Sequence, residues 1–306
     1  MNKNDSIAAI SGVFPVLPTP FDEHGKPDVD SLRRLVRYLV DAGVDGMTYP
    51  GVASEFNQLT IEERLALTDI VLDELDGHLP LVAGVSSTDI EKTVQLAQAA
   101  AERGASALMI AVPPDRNTAD AQIEFFSAVA RAVPDTPIVL QNVPAPVGAG
   151  LDPDVLVAIL NAVPGIRYVK EETLPSGQRL TVVRRTAPHT LLGVLGGAGG
   201  RYITDELRRG ACGTMPAIEL AEVHVALFAA HRAGETERVR QLFTRMLPIL
   251  NVQAVFRWSL TKYVLHRRGL IRCRLQRAAG PLLDNEDAAD VDAFLHDIED
   301  LLAPCR

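Results

Sequence analysis

The 306-residue sequence predicts an α/β fold: a (β/α)8 TIM barrel with a C-terminal all-helical appendage. Short apolar segments typical of buried strands alternate eight times with helical segments. The strand pattern stops near residue 218, and only helical patterns follow it. No linker or low-complexity tract separates the two parts. We therefore expect a barrel over residues 1–218 that carries the active site, and a helical region over 219–306 packed on it.

The first two units of the barrel show the signals most clearly. The first strand lies within 12–21 and ends in prolines, which cannot continue a hydrogen-bonded ladder. In the following helix, apolar residues from Leu32 to Val40 recur at the spacing of one buried face, and Gly43 closes the helix. The second strand is 46–50. Thr60 and Glu63 then form a capping box that begins the next helix.

The same strand and helix unit repeats along the chain. A second capping box is expected at Thr88, opening a helix that runs to Gly104, and further helices are expected over 118–133 and from Asp152. After the barrel, helices are expected over 221–233, 236–250, 252–268 and 287–302. The remaining predicted strands are 79–85, 107–112, 137–142, 166–170, 191–195 and 211–215.

Composition narrows the function classes. Hydrophobic residues make up 47% of the chain, enough for a large core, and the net charge of −9 disfavours nucleic acid or an anionic membrane as the main partner. Five arginines between Arg267 and Arg277 lack interleaved aromatic residues, which indicates a solvated or subunit-contact face. Cys212, Cys273 and Cys305 form no CxxC pair. Together with the absence of a targeting signal or a membrane-length apolar run, this predicts a cytoplasmic protein.

In barrels of this kind the active site lies at the carboxyl ends of the strands. No histidine follows a predicted strand, so a metal site with imidazole ligands is not expected, and no cofactor is predicted. A carboxylate-only magnesium site built from Glu55, Asp115 and Glu171 remains an alternative. The candidates at strand ends are Thr19, Ser54, Glu55, Asp115, Arg116, Gln141, Asn142, Lys170, Glu171, the glycines of 196–200, Met215 and Pro216.

Lys170 stands out because it ends a short β-branched and aromatic strand. Its stem would lie among apolar residues and its amine at the rim of a cavity, where it could attack a carbonyl carbon. The alternative is an ordinary surface lysine. An imine between this lysine and a 2-oxo acid would act as an electron sink. Both cleavage of a carbon-carbon bond and loss of a β-hydroxyl would then be accessible.

Several segments together resemble the dihydrodipicolinate synthase / N-acetylneuraminate lyase family of Schiff-base barrel lyases. The resemblance covers nearly the whole chain and implies that Lys170 forms the imine. It also implies a 2-oxo acid such as pyruvate as substrate or product, and a homo-oligomer, either a tetramer or a dimer. The matching segments are 12–21, Gly51-x-x-x-Glu55, Glu62-Glu63-Arg64, Asn142-Val-Pro144, Val169-Lys-Glu171 and the helical tail.

The sequence departs from the family pattern in the residues that handle protons. The two hydroxyl positions after the second strand are Val52 and Ala53, and a hydroxyl occurs instead at Ser54. The relay tyrosine of the fifth strand is replaced by Gln141, and the tyrosine pair after the fourth strand by 115–116. Without a phenol the usual relay cannot operate, so another proton donor is needed.

The residues that select the substrate also depart from the pattern. Pro146 stands where the synthase carries an arginine that grips a carboxylate, and the turn 196–200 lacks the acidic pair of sialic acid lyases. The Ser54-Glu55 pair is similar to the branch of the family that dehydrates 2-keto-3-deoxy sugar acids. The substrate itself cannot be named from these departures.

We therefore predict catalytic roles for Lys170, Gln141 and Glu55, with Gln141 orienting the substrate and Glu55 or a water carrying protons. Glu55 could instead only hold its loop. A non-catalytic keto-acid or sugar-acid binding barrel, and a metal-assisted phosphate-binding aldolase that uses the glycine turn, are the alternatives. Arg116 is predicted to contact an anion. Predicted substrate-binding residues are Val52, Ala53, Ser54, Gly196, Gly197 and Met215.

Overall fold

The computed structural model describes residues 10–303, so the N-terminal leader 1–9 and Cys305 lie outside the described residues. Eight strands form one parallel sheet: β1 Gly12–Val13, β2 Met47–Tyr49, β3 Leu81–Gly84, β4 Ala107–Ala111, β5 Ile138–Asn142, β6 Ile166–Glu171, β7 Gly193–Gly196 and β8 Gly213–Thr214. Their hydrogen-bonded order is β1-β8-β7-β6-β5-β4-β3-β2, and a parallel bridge from Val16 to Thr48 joins its two ends. The predicted TIM barrel is confirmed.

Helices alternate with the strands and then continue alone. Helix α8 packs against β1, and α9, α10 and α11 follow it along the chain. The division of the chain between residues 218 and 219 stays a prediction. The helices are α1 Val29–Asp41, α2 Ile61–Leu75, α3 Ile90–Glu102, α4 Ala119–Ala132, α5 Pro153–Ala162, α6 Ser176–Thr186, α7 Ile203–Arg208, α8 Ala221–Arg232, α9 Thr236–Phe256, α10 Trp258–Arg267 and α11 Asn285–His296.

Two local expectations differ from the structure. The capping box of Thr60 and Glu63 is present at the start of α2, but the one expected at Thr88 is wrong. Asp89 caps α3 instead, because its carboxylate reaches the N–H groups of both Glu91 and Lys92, at 2.9 and 3.2 Å. The expected break near residue 251 is also displaced, since α9 continues to Phe256.

The lower part of the barrel is filled with apolar side chains, so the only place for chemistry is the open end above them. None of the helices within 10–303 is long and apolar enough to cross a membrane. Several arginines of the 267–277 cluster serve contacts within the chain, such as the 2.7 Å pairs of Arg277 with Glu63. The interior cluster comprises Ile10, Phe14, Val16, Val82, Ala107, Met109, Val139, Tyr168, Leu195 and Met215.

Candidate active site

Lys170 lies at the carboxyl end of β6, inside the barrel. Alternation along a strand turns Tyr168 and Lys170 to the same face, so the apolar interior supports the lysine stem. The residue is only 3% exposed, and it lines a cavity of about 180 Å³ at the barrel mouth. Its Nζ lies 3.3 Å from Oε1 of Glu172. The expected surface-lysine alternative is not what the structure shows.

Glu172 is the carboxylate of this site, and sequence reasoning missed it. Its Oε2 accepts a 2.7 Å hydrogen bond from Nε2 of Gln141, and its Oε1 accepts one of 2.8 Å from the N–H of Ala198. Burial alone would raise the pKa of Glu172, but the charge of Lys170 and these hydrogen bonds outweigh it and lower the pKa below its usual value. An ionised carboxylate therefore lies beside the lysine amine.

The next residue along each strand, Asn142 in β5 and Glu171 in β6, points to the opposite face of its strand. Asn142 donates to both carboxylate oxygens of Glu171 at 3.0 Å, and the N–H of Thr173 donates to Oε1 of Glu171 at 2.8 Å. Burial raises the pKa of Glu171 to about 7. Gln141, paired with Lys170 in the register of β5 and β6, is thus the strand-five residue that reaches the site.

The walls of the cavity are mostly apolar. Val52, Ala53 and Met215 line it as expected, together with the segment from Val143 to Val147. Val52 and Ala53 begin a short 3₁₀ helix, and within residues 10–303 their N–H groups have no protein acceptor. These two amides are available to bind a carboxylate where the family pattern carries hydroxyls.

Ser54 does not reach the cavity, and its expected substrate contact is not supported. Its Oγ donates to the carbonyl of Leu17 and accepts a 2.8 Å hydrogen bond from the N–H of Gly51. Thr19 donates to the carbonyl of Ser54 at 2.8 Å. Both hydrogen bonds of the Ser54 hydroxyl therefore serve to hold the first two barrel loops together.

Glu55 does not line the cavity, so its catalytic role stays a prediction without support from this geometry. Its Oε1 accepts from Nζ of Lys262, which is fully buried. Its Oε2 accepts two 2.6 Å hydrogen bonds, from the N–H groups of Arg277 and Ala278. These contacts fasten the β2 loop to the helical region, which is the loop-holding alternative named above.

The glycine turn after β7 is covered by side chains, which explains its composition. A Cβ added at Gly196 would lie 1.9 Å from Oε2 of Glu206, and one at Gly197 would lie 2.4 Å from Oε1 of Glu172. A Cβ at Gly200 would lie 2.3 Å from Nε2 of His224. The glycines therefore allow close approach of protein groups, and this close packing leaves little support for a phosphate cradle.

Arg116 is not among the residues that line the cavity. Its Nη1 donates to the carbonyl of Thr88 at 3.2 Å and to Asp115 at 3.1 Å, and its guanidinium stacks on Phe125 with 4.7 Å to the ring centre. Its predicted anion contact stays a prediction with no support from this geometry. Within residues 10–303, no three His, Cys, Asp or Glu side chains are grouped to hold a metal.

Comparison with known sequences identifies the family of the chain. The Dihydrodipicolinate synthetase family model matches residues 9–297. A 4-hydroxy-tetrahydrodipicolinate synthase of Thermus thermophilus is 34% identical, but the match spans only 53% of this chain and 54% of that protein. The synthase of Methanothrix thermoacetophila is 30% identical over 96% of this chain and 99% of its own. The L-2-keto-3-deoxyarabonate dehydratase of Azospirillum brasilense is 27% identical over 95% of each.

Solved structures show the same architecture. A dihydrodipicolinate synthase from Rhodopseudomonas palustris has a TM-score of 0.87 and 28% identity, covering 94% of this chain and 97% of that one. YagE, a prophage protein of this family from E. coli K12 solved in complex with pyruvate, has a TM-score of 0.87 and 25% identity, covering 95% of this chain and 99% of that one.

Proposed function

Because the chain belongs to the dihydrodipicolinate synthetase family, we propose that it is a Schiff-base-forming lyase that acts on a 2-oxo acid. One observation carries the proposal: the buried Nζ of Lys170 faces a cavity with an ionised carboxylate 3.3 Å away. A lysine and a carboxylate in contact can form an imine and then move protons around it.

In the first stage Lys170 transfers a proton to Glu172, its amine attacks C2 of the 2-oxo acid, and Glu172 then returns that proton to the hydroxyl of the carbinolamine. The carbinolamine loses water, and a protonated imine remains. The free N–H groups of Val52 and Ala53 are placed to hold the C1 carboxylate. No metal is needed in this stage, because the iminium nitrogen itself withdraws electrons from C3.

In the second stage Glu172 takes a proton from C3, and the electron pair moves to the imine nitrogen to give an enamine. When C4 carries a hydroxyl, the enamine expels it, and Glu172 returns the proton so that water leaves. Gln141 fixes the carboxylate through its 2.7 Å hydrogen bond and so orients the base. Glu172 thus takes the proton-carrying role that the sequence analysis gave to Glu55.

Aldol cleavage is the second candidate reaction. There a base removes the proton of the C4 hydroxyl, the C3–C4 bond breaks, and the enamine is protonated at C3 before hydrolysis. Dehydration is favoured by two observations. Glu172 is the only acid or base beside Lys170 among the described pocket residues, and no tyrosine lines the cavity there. The similarity to a dehydratase over 95% of each chain points the same way.

Borohydride trapping tests this proposal. Incubation with pyruvate and borohydride is expected to add one reduced pyruvyl group to the intact mass of the wild type and none to Lys170→Ala. A screen of 2-keto-3-deoxy acids for water loss against pyruvate release then separates the two reactions. No adduct with pyruvate or longer 2-oxo acids contradicts the proposal, and adducts without turnover of any acid favour the binding-protein alternative.

Family membership also supports a homo-oligomer acting in the cytoplasm, which we include in the proposal. Size-exclusion chromatography with light scattering should give a mass of two or four chains. A mass of one chain at micromolar concentration contradicts this part without affecting the chemistry at Lys170.

A further inference from the structure

The cavity carries more positive charge than imine formation requires. Among its described lining residues the cations are Lys170, Arg201 and Arg257, while Glu172 is the single carboxylate. One positive charge is balanced by Glu172, and two remain. This surplus lies in a chain whose net charge is −9, so it is a local feature of the pocket.

The partners of the two arginines carry no charge. Nη1 of Arg201 donates to Oε1 of Gln253 at 2.7 Å, and the guanidinium of Arg257 lies 6.0 Å from the ring centre of Trp258. Within residues 10–303 neither forms a salt bridge, whereas most arginines outside the cavity pair with carboxylates, as Arg268 does with Glu222. Half-buried Arg201 therefore has donors left for an anion.

The backbone holds Arg257 in an unusual conformation at this position. Its φ of 41° and ψ of −107° lie in a region that side-chain-bearing residues rarely adopt. It is fixed where α9 ends and α10 begins, with its N–H donating to the carbonyl of Gln253 at 2.9 Å. Strained residues of this kind persist where surrounding structure requires them, commonly at ligand sites. Gln253 thus contacts both arginines.

The rest of the cavity limits the length and chemistry of a ligand. Its volume of about 180 Å³ suits a short acid. One wall of the cavity, Val143 to Val147, offers apolar side chains and two prolines, so a polyhydroxylated chain would find few partners there. The N–H groups of Val52 and Ala53 lie at the end already assigned to the C1 carboxylate.

We propose that Arg201 and Arg257 form a distal anion site that makes the pocket selective for 2-oxo diacids, whose second carboxylate binds the two guanidinium groups. This inference rests on the proposed function, because the 2-oxo group must react with Lys170 while the far carboxylate is held. Planar guanidinium groups match the geometry of a carboxylate and bind it with charge-assisted hydrogen bonds.

Two acids of equal length test the distal site. 2-Oxoglutarate and 2-oxopentanoate each have five carbons and differ in the terminal carboxylate, and without a C4 hydroxyl neither can undergo dehydration. The concentration for half-maximal borohydride trapping should be at least roughly tenfold lower for 2-oxoglutarate, a difference typical of one charged contact. The preference should shrink in 1 M salt, because exposed Arg257 is screened.

Variants of the two arginines test whether they cause the preference for 2-oxoglutarate. In Arg201→Gln and in Arg257→Gln the ratio of the two half-maximal concentrations should fall, and in the double variant it should approach one. Arg257→Gly, which also relieves the backbone, should lower the ratio equally if charge is what matters. Arg131→Gln is the matched control, since Arg131 is exposed in the last turn of α4 and should leave the ratio unchanged.

The outcomes separate the two proposals. Adducts with both acids at similar concentrations in the wild type, or a preference that survives in the double variant, overturn the distal site alone. Failure of pyruvate and both five-carbon acids to form any adduct refutes the proposed function instead. Because each ratio is measured within one protein sample, a smaller folded fraction in a variant cancels.

Discussion

Two buried lysine–glutamate pairs lie near the open end of the barrel, and they differ in what surrounds them. Glu55 is saturated by Lys262 and two backbone N–H groups, and Lys262 also donates to the carbonyl of Leu275 at 2.7 Å. Glu172 and Lys170 meet at 3.3 Å and face the cavity. A pair whose hydrogen-bonding groups all have protein partners stabilises the fold. A pair that faces a cavity and has hydrogen-bonding groups left for a ligand can react.

The comparison also shows what the local sequence cannot reveal. Ser54-Glu55 follows a strand and resembles a catalytic pair, but its partners lie far along the chain, with Lys262 207 residues away. Glu172 lies only two residues from Lys170, just beyond the end of β6. The first pair joins the barrel to the helical region, and the second equips the active site.

The largest difference between the pairs should appear in proton transfer. Glu172→Gln should slow exchange of the C3 protons of pyruvate with D2O by about 10²–10⁴-fold, the usual contribution of a general base, while still permitting the borohydride adduct. Glu55→Gln should keep the exchange rate per trapped site within a few-fold of the wild type. NMR measures the exchange. Equal losses in the two variants would remove the distinction between the pairs.

For the free energy of unfolding, the variant of Glu55 should show the larger loss and the variant of Glu172 the smaller. Glu55→Gln leaves Lys262 buried without a counter-charge and should lower the free energy of unfolding by about 3–5 kcal/mol, as when one partner of a buried pair is removed. Glu172→Gln should cost about 1 kcal/mol, because Lys170 adjoins the cavity and water there can solvate its amine. Urea unfolding measures both. A larger loss for Glu172→Gln would be inconsistent with this assignment of roles.

Glu206 is a buried carboxyl without a cationic partner, and it extends the comparison of the two lysine–glutamate pairs. Burial raises the pKa of Glu206 to about 7, and its one hydrogen-bond donor in the described residues is Ser176, at 2.7 Å. Because the pKa of Glu206 is higher in the folded than in the unfolded chain, Glu206 contributes stability at pH values below the unfolded pKa, and this contribution is lost as pH rises to about 7. The pKa of Glu172 is lowered, so Glu172 contributes stability at higher pH and loses it as pH falls.

Glu206→Gln should therefore flatten the fall in stability between pH 4.5 and 7. The wild type should lose up to about 3 kcal/mol more than the variant over this interval, from about 1.4 kcal/mol per pKa unit. Unfolding by urea at each pH provides the comparison, with Glu62→Gln as the exposed control. Parallel pH curves for wild type and Glu206→Gln would contradict the placement of a neutral carboxyl there.

Much of the fold and the reacting lysine could be predicted from the sequence. Eight apolar segments separated by capped helices are a local signal, and the resemblance to the family placed Gln141 at the relay position of the fifth strand. Glu172 could have been found by strand alternation, because it lies two residues beyond Lys170. The burial of Glu172 depends on the glycine turn after β7, where Gly197 leaves room for it.

The remaining differences depend on contacts that local patterns do not encode. Arg201 and Arg257 come from different elements, and only the packing of α9 and α10 over the barrel mouth brings them to one cavity. Pro146 stands where the synthase carries its arginine, so the usual anion clamp of the family is missing. The structure places two other cations, Arg201 and Arg257, in the lining of the cavity.

Peptide mapping of the borohydride adduct tests the central claim most directly, because it distinguishes the two buried lysines in one sample. Trapping with pyruvate followed by proteolysis should place the whole reduced pyruvyl mass on the peptide that contains Lys170 and none on the peptide that contains Lys262. An adduct on Lys262, or one that persists elsewhere in Lys170→Ala, would contradict the account.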